Sequence, residues 1–211
     1  MEPEATVPLR TEALLTLAQR NLVKENDDKG SSLILQWMYE VENVTAQSYY
    51  LLASAYFQKD DFVKSRSSME EAIRLADEEG YRPRANWYVL LAACFSELKE
   101  KKIISESFAL EQQLGIYAIL VNYYPKKQYF LSLAATYQQM DRDEDDMITL
   151  KAAYDKDMLD KEAEYSSVAQ MLLLKKNPYR DAQVLVAGQQ KKVIIKDEET
   201  DEERRVTDLY D

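Results

Sequence analysis

The sequence contains no histidine. That removes the side chain most often used as a general base and the commonest metal ligand. Cysteine occurs once, at Cys94, so the chain can close no internal disulfide and build no cysteine-rich zinc site. A chain without disulfides is compatible with a reducing or an oxidising compartment. Glycine (4) and proline (5) are scarce among 211 residues, which leaves long stretches with no built-in break. No apolar run approaches the roughly 18 residues of a membrane span. The start, Met1-Glu2-Pro3-Glu4, lacks the basic residues and apolar core of a secretory signal. The expectation is either a cytosolic protein or a chain that begins after a signal has been lost. Positive charge is also in deficit, with 27 Lys and Arg against 38 Asp and Glu and a net charge of −11. Such a chain offers no electrostatic footprint for nucleic acid and is repelled by anionic lipid headgroups.

What is present favours helices. The chain is 46% hydrophobic, enough to bury a substantial core. Its recurring alanine, leucine and tyrosine sit in runs without glycine or proline, which suits an all-helical protein better than a sheet. In Tyr49-Tyr50-Leu51-Leu52-Ala53-Ser54-Ala55-Tyr56-Phe57, residues Tyr49, Leu52, Ala53 and Tyr56 share one helical face. Lys59-Asp60-Asp61 then interrupts the pattern as a turn, and Phe62, Ser65, Met69 and Ala72 resume it on a second helix. The small residue at Ala53 lets the partner helix come close, and the second helix again carries a small residue on its facing side.

This aromatic-x2-Leu-small-x2-Tyr signature resembles the first helix of the tetratricopeptide repeat, a helix-turn-helix unit of about 34 residues. The predicted fold is therefore an all-α, right-handed solenoid of about five such units. They span about 11–43, 45–79, 84–124, 127–159 and 162–193, between a lead-in at 1–10 and an acidic tail at 196–211 that is expected to be solvated. The small-position residues Ala18, Ala53, Leu91, Ala134 and Ala169 are spaced by 35, 38, 43 and 35. The long interval is assigned to an extended second helix in the third repeat, from about Ile103 to Tyr124. Ile104, Phe108, Leu114, Tyr117, Val121 and Tyr124 form its apolar stripe, and Gly115 offers a place to kink. Pro125 ends that helix, because the residue before proline is pushed out of the α region.

First helices of such repeats line a groove. Counting in register, its lining comprises Gln47, Tyr50, Ser54, Phe57, Tyr88, Ala92, Phe95, Gln128, Leu131 and Gln138. The functional expectation is a groove for an extended or helical peptide, anchored by Tyr50, Phe57, Tyr88 and Phe95. The competing reading is that these aromatics pack between adjacent repeats. The lining contains no lysine or arginine, which argues against an acidic chaperone tail as ligand. Cys94 falls on a core position and reads as a buried structural thiol. The acidic pairs Asp60-Asp61 and Glu70-Glu71 and the run Asp143–Asp146 fall in turns or on outer faces with nothing to desolvate them. No catalytic group, metal site or cofactor is assigned, and the chain reads as a non-enzymatic binding scaffold.

Several stretches are more specific than the general repeat pattern. They are Gln36-Trp37-Met38, Asn86-Trp87-Tyr88, Tyr123-Tyr124-Pro125-Lys126-Lys127-Gln128-Tyr129, Leu150-Lys151-Ala152-Ala153-Tyr154, and Asn177-Pro178-Tyr179 with Ala182-Gln183-Val184-Leu185. Together they resemble, over most of 11–193, the proteobacterial tetratricopeptide proteins encoded beside TonB energy-transduction systems. The resemblance implies a periplasmic or envelope protein that supports TonB-dependent uptake through protein–protein contact, with a TonB-system component as candidate partner. The alternative is a cytosolic adaptor or assembly chaperone for a secreted or regulatory partner.

Overall fold

The computed structural model of the chain describes residues 44–174, together with Thr16, 32–34, 36–38, Val184 and 186–188. The first helix of the first repeat apart from Thr16, the Asn177-Pro178-Tyr179 turn and the acidic tail lie outside the described residues, as does most of the second helix of the fifth repeat. The described residues contain no strand, and residues 44–174 contain seven α-helices. They are α1 (Ala46–Gln58), α2 (Phe62–Glu78), α3 (Ala85–Glu100), α4 (Glu106–Tyr123), α5 (Lys127–Gln139), α6 (Asp143–Asp155) and α7 (Glu162–Leu174). The chain divides into two compact units, Met1–Tyr124 and Pro125–Asp211. In the first unit, α1 pairs with α2, α2 packs on α3 and α3 pairs with α4. In the second, α5 pairs with α6, and α6 packs on α7.

The shortage of glycine does not prevent tight reversals. Five helices end with a residue at positive φ, namely Asp60, Gly80, Lys102, Asp141 and Asp157. In each case the next N–H reaches back five residues: Asp61 to Tyr56, Tyr81 to Ala76, Ile103 to Leu98, Arg142 to Tyr137 and Met158 to Ala153, at 2.9–3.1 Å. This is the Schellman closure, which satisfies the last orphan carbonyls of a helix. Aspartate tolerates the left-handed region better than most residues, so three of the five closures use it. Helix starts are also specified locally. The Asp61 carboxylate accepts from the Lys64 N–H at 3.2 Å, and Ser105 Oγ accepts from the Phe108 N–H at 3.3 Å.

Small residues set the close approach within each unit. In the first, Ser65 Oγ donates to the Ala53 carbonyl at 2.8 Å and lies 3.2 Å from Cys94 Sγ. One hydroxyl thus joins α1, α2 and α3, and all three residues are fully buried. Met69, Trp87, Phe95, Leu98 and Leu120 are also buried in this unit. Ile34, from the first repeat, is fully buried against Leu52 and Ala55. In the second unit Phe130, Ala134, Ala153, Tyr165, Val168 and Ala169 form the core, and the Tyr165 hydroxyl donates to the Leu159 carbonyl at 3.2 Å.

The third hairpin differs from expectation. Ile103 and Ile104 belong to a five-residue connection, 101–105, rather than to the helix. The extra length of this repeat is shared: α3 has 16 residues against 13 in α1, and the connection is longer than the three-residue turns at 59–61 and 140–142. α4 is continuous through Gly115 and buries Ala109, Leu110, Gln113, Ile116 and Leu120. The expected stripe is displaced by one position, and its Phe108 is exposed. The run Ile116-Tyr117-Ala118-Ile119-Leu120-Val121 is apolar all round, so periodicity does not select the inward face.

Candidate interaction face

The expected groove residues fall into three groups. Gln47, Gln128 and Gln138 are exposed. Tyr50, Phe57 and Leu131 are half-buried. Tyr88 and Phe95 are in the core, at 7% and 1% exposure, and so cannot present a surface to a ligand. α4 covers them from its two ends, since Phe108 meets Phe95 edge-on at 6.1 Å and Tyr124 lies 6.3 Å from Tyr88. Burial pushes the Tyr88 hydroxyl above the ordinary tyrosine range. Ala92 is buried as well, its carbonyl accepting from Gln113 Nε2 at 3.2 Å.

Tyr50 is both a packing residue and a surface residue. Its ring stacks on Trp87 with centroids 5.1 Å apart and planes 6° from parallel. Its hydroxyl accepts from Asn86 Nδ2 at 2.7 Å. That leaves the phenolic proton and the Asn86 carbonyl oxygen without a partner among the described residues. Phe57 makes an edge contact with Phe62 at 5.1 Å. On α3 the exposed positions are Asn86, Val89 and, at its end, Glu100; only the first two lie on the uncharged part of the helix. Neither was expected, because Trp87 to Phe95 is a near-continuous apolar run. The exposed polarity of Asn86, one turn ahead of Val89 and Leu90, is the signal that marks this face.

Charge separates two classes of helix. Among the residues whose side chains are described, twelve exposed ones lie on the leading helices α1, α3, α5 and α7; seven of these are glutamine or asparagine and two are charged. Of nineteen exposed residues on α2, α4 and α6, ten are charged. α1 carries no charged residue, and α3 carries none before Glu97. Ion pairs are found on the trailing helices, as with Arg66–Glu70 and the Arg74 contacts to Glu71 and Glu78 on α2, and Lys151–Asp155 on α6. An exception in the second unit is Lys127 at the start of α5, which binds Asp160 and lies 2.8 Å from Glu164 at the start of α7.

Tyr123 and Tyr124 act as a clasp in the first unit. The Tyr124 hydroxyl donates to the Pro83 carbonyl, and the Arg82 guanidinium sits 3.8 Å above the Tyr123 ring. Tyr81 meets Trp87 edge-on at 6.4 Å. These contacts fasten the end of α4 to the α2–α3 connection.

Among acidic residues, one differs from expectation. Asp146, the fourth residue of α6, is buried at 6% exposure. It occupies the place in α6 that Ser65 holds in α2. No hydrogen bond or ion pair reaches its carboxylate among the described residues, and desolvation, reinforced by Asp143, pushes its pKa upward. Cys94 matches its expected role: the thiol is buried, and desolvation pushes it up to about 11. Among the described residues no group of three or more acidic or cysteine side chains is arranged to hold a metal ion, and no helix is long and apolar enough to cross a membrane.

No protein-family model matches the sequence, and no curated protein matches it. Solved structures do match its fold. MamA (residues 41 to the end) from Desulfovibrio magneticus RS-1 is 14% identical, with 86% of this chain and 94% of that one covered and a TM-score of 0.56. BtubC from P. vanneervenii is 13% identical, with coverage of 88% and 82% and a TM-score of 0.53. TTC0263, a tetratricopeptide protein of Thermus thermophilus, is 14% identical, with coverage of 95% and 97% and a TM-score of 0.50. At these identities the likeness is one of fold. The architecture is all-α, of the tetratricopeptide class.

Proposed function

We propose that this chain is a non-enzymatic interaction scaffold that holds a segment of a partner protein against the exposed face of its leading helices. In the first unit that face is Gln47, Tyr50 and Ser54 of α1 with Asn86 and Val89 of α3. The observation that carries the reading is the segregation of charge. The chain is 31% charged, yet these exposed and half-buried positions are two amides, a hydroxyl, an aromatic and an aliphatic. A face that served only solubility would carry charge, as α2 does. Exposed carboxamides and a rigid tyrosine provide directional hydrogen bonds and contact area at little loss of side-chain freedom.

The test compares partner recovery by the wild type, by a Gln47→Ala/Asn86→Ala double variant and by Arg74→Ala on the charged face. The double variant is expected to lose the partner with a fall in melting temperature of no more than about 2–4 °C from the lost Asn86–Tyr50 bond, while Arg74→Ala keeps it. Equal recovery by all three proteins would refute the reading. A TonB-system component, and with it an envelope location, is a candidate that rests on the sequence stretches named above alone. Direct binding of the purified chain to the periplasmic part of such a component tests it, and absence of binding at high micromolar concentration removes it.

A further inference from the structure

The chemistry of the face restricts what it can hold. α1 has no charged residue, and α3 has none from Ala85 through Ser96. Along α1, and along α3 through Ser96, a partner's lysine, arginine, aspartate or glutamate would find no counter-ion, which is unfavourable; charge enters only at the edge, from Arg84 before α3 and from Glu79, whose carboxylate already accepts from the Ala46 N–H. What the surface does offer is matched to an uncharged main chain. The Tyr50 hydroxyl already accepts from Asn86 Nδ2, so its proton is left to donate. Asn86 keeps its carbonyl oxygen to accept, and the exposed Gln47 amide can do both. An extended peptide presents alternating N–H and C=O groups along its length, the complement of this donor and acceptor set. Val89, at 39% exposure beside half-buried Leu90 and Ala93, gives apolar side chains a place to rest.

Resting on the scaffold reading above, we propose that the segment held by the first unit is extended and uncharged. Its main-chain amides are taken by Gln47, Tyr50 and Asn86, and its apolar side chains lie against Val89. Binding of this kind is nearly independent of ionic strength, since no ion pair is formed to be screened.

The experiment selects a random-peptide library against the whole chain. Recovered peptides are then measured with the wild type, with Gln47→Ala, with Gln47→Glu and with Arg74→Ala as a control on α2. The expected result is enrichment of uncharged, apolar sequences whose affinity changes by less than about twofold between about 50 and about 500 mM NaCl. Gln47→Ala should weaken them, Gln47→Glu should weaken them further, and Arg74→Ala should not. Gln47 is exposed, so neither variant disturbs packing; unchanged melting temperatures verify this. Enriched peptides rich in acidic or basic residues, sensitive to Gln47→Ala and weakened about tenfold or more by salt, would overturn the inference and leave the scaffold reading standing. Peptides indifferent to Gln47, or no enrichment at all, would overturn both.

Discussion

Replacing Asp146 by serine should stabilise the protein at neutral pH. Asp146 as a residue is at 6% exposure in the first turn and a half of α6, and nothing described hydrogen-bonds to its carboxylate, which keeps only a sliver of contact with water. An unsatisfied buried polar group costs about 1–3 kcal/mol, and more if charged. Opposing this is the helix dipole, which favours an anion near the N-terminus by roughly 0.3–1 kcal/mol and fades beyond the first turn. Desolvation therefore outweighs the dipole. Serine is also the residue at the same place in α2, where its hydroxyl donates to the Ala53 carbonyl at 2.8 Å; the equivalent bond would add about 1 kcal/mol. The net expectation is a gain of about 1–3 kcal/mol, or roughly 2–10 °C in Tm for a chain of this size. The pH dependence provides the sign. The folded-state pKa of Asp146 is raised, so between the unfolded value near 4 and the folded value the native state binds more protons than the unfolded state. Stability from this group is therefore present at low pH and lost as pH rises through the folded pKa. The advantage of Asp146→Ser over the wild type should be largest at neutral pH and shrink toward pH 4. Urea denaturation of the wild type, Asp146→Ser and Asp146→Asn across that range measures it, with asparagine separating charge from shape. A serine variant less stable than the wild type at pH 7, or a difference that does not change with pH, would refute the reasoning.

Gly115 lies inside α4, and a Cβ built there meets nothing within 4 Å; Gly115→Ala should therefore stabilise by about 0.5–1 kcal/mol in chemical denaturation. Lys102 holds φ at 55°, and Lys102→Gly should relieve about 1 kcal/mol of left-handed strain, partly offset by the greater freedom of glycine when unfolded; a drop in Tm would contradict that account. Ser65→Ala removes the bond to Ala53 and should cost about 1 kcal/mol. Cys94, with its thiol pushed up to about 11 and fully buried, should react with a disulfide reagent at pH 8 only as fast as the protein opens, its thiolate fraction being on the order of one in a thousand.

Much of this architecture is written locally. Lys59-Asp60-Asp61 names its own turn, because it combines a residue that tolerates positive φ with a side chain that caps the next helix. Ala53 and Ser65 stand out as small residues in apolar frames, and they are the contact point of α1 with α2. What fails to read out is direction on helices that are apolar on every side. In α3, Trp87 through Phe95 offers no polar face to fix the phase, so Tyr88 and Phe95 look like groove anchors when α4 in fact covers them. The same ambiguity displaces the buried stripe of α4 by one position. Asp146 is hidden for the opposite reason: it stands in an acidic run that looks wholly solvated, and only the packing of α6 shows that its fourth residue turns inward.

The meeting of Ala53, Ser65 and Cys94 bears on how this sequence can change over generations. The three side chains come from three different helices and have no exposed surface between them. A larger residue at any one of them has nowhere to go unless another has shrunk first, because close-packed interiors do not absorb even one added methylene without shifting. Substitutions here must therefore arrive in an order, with a reduction in volume preceding each increase. Positions 53, 65 and 94 should accordingly drift as a set rather than singly.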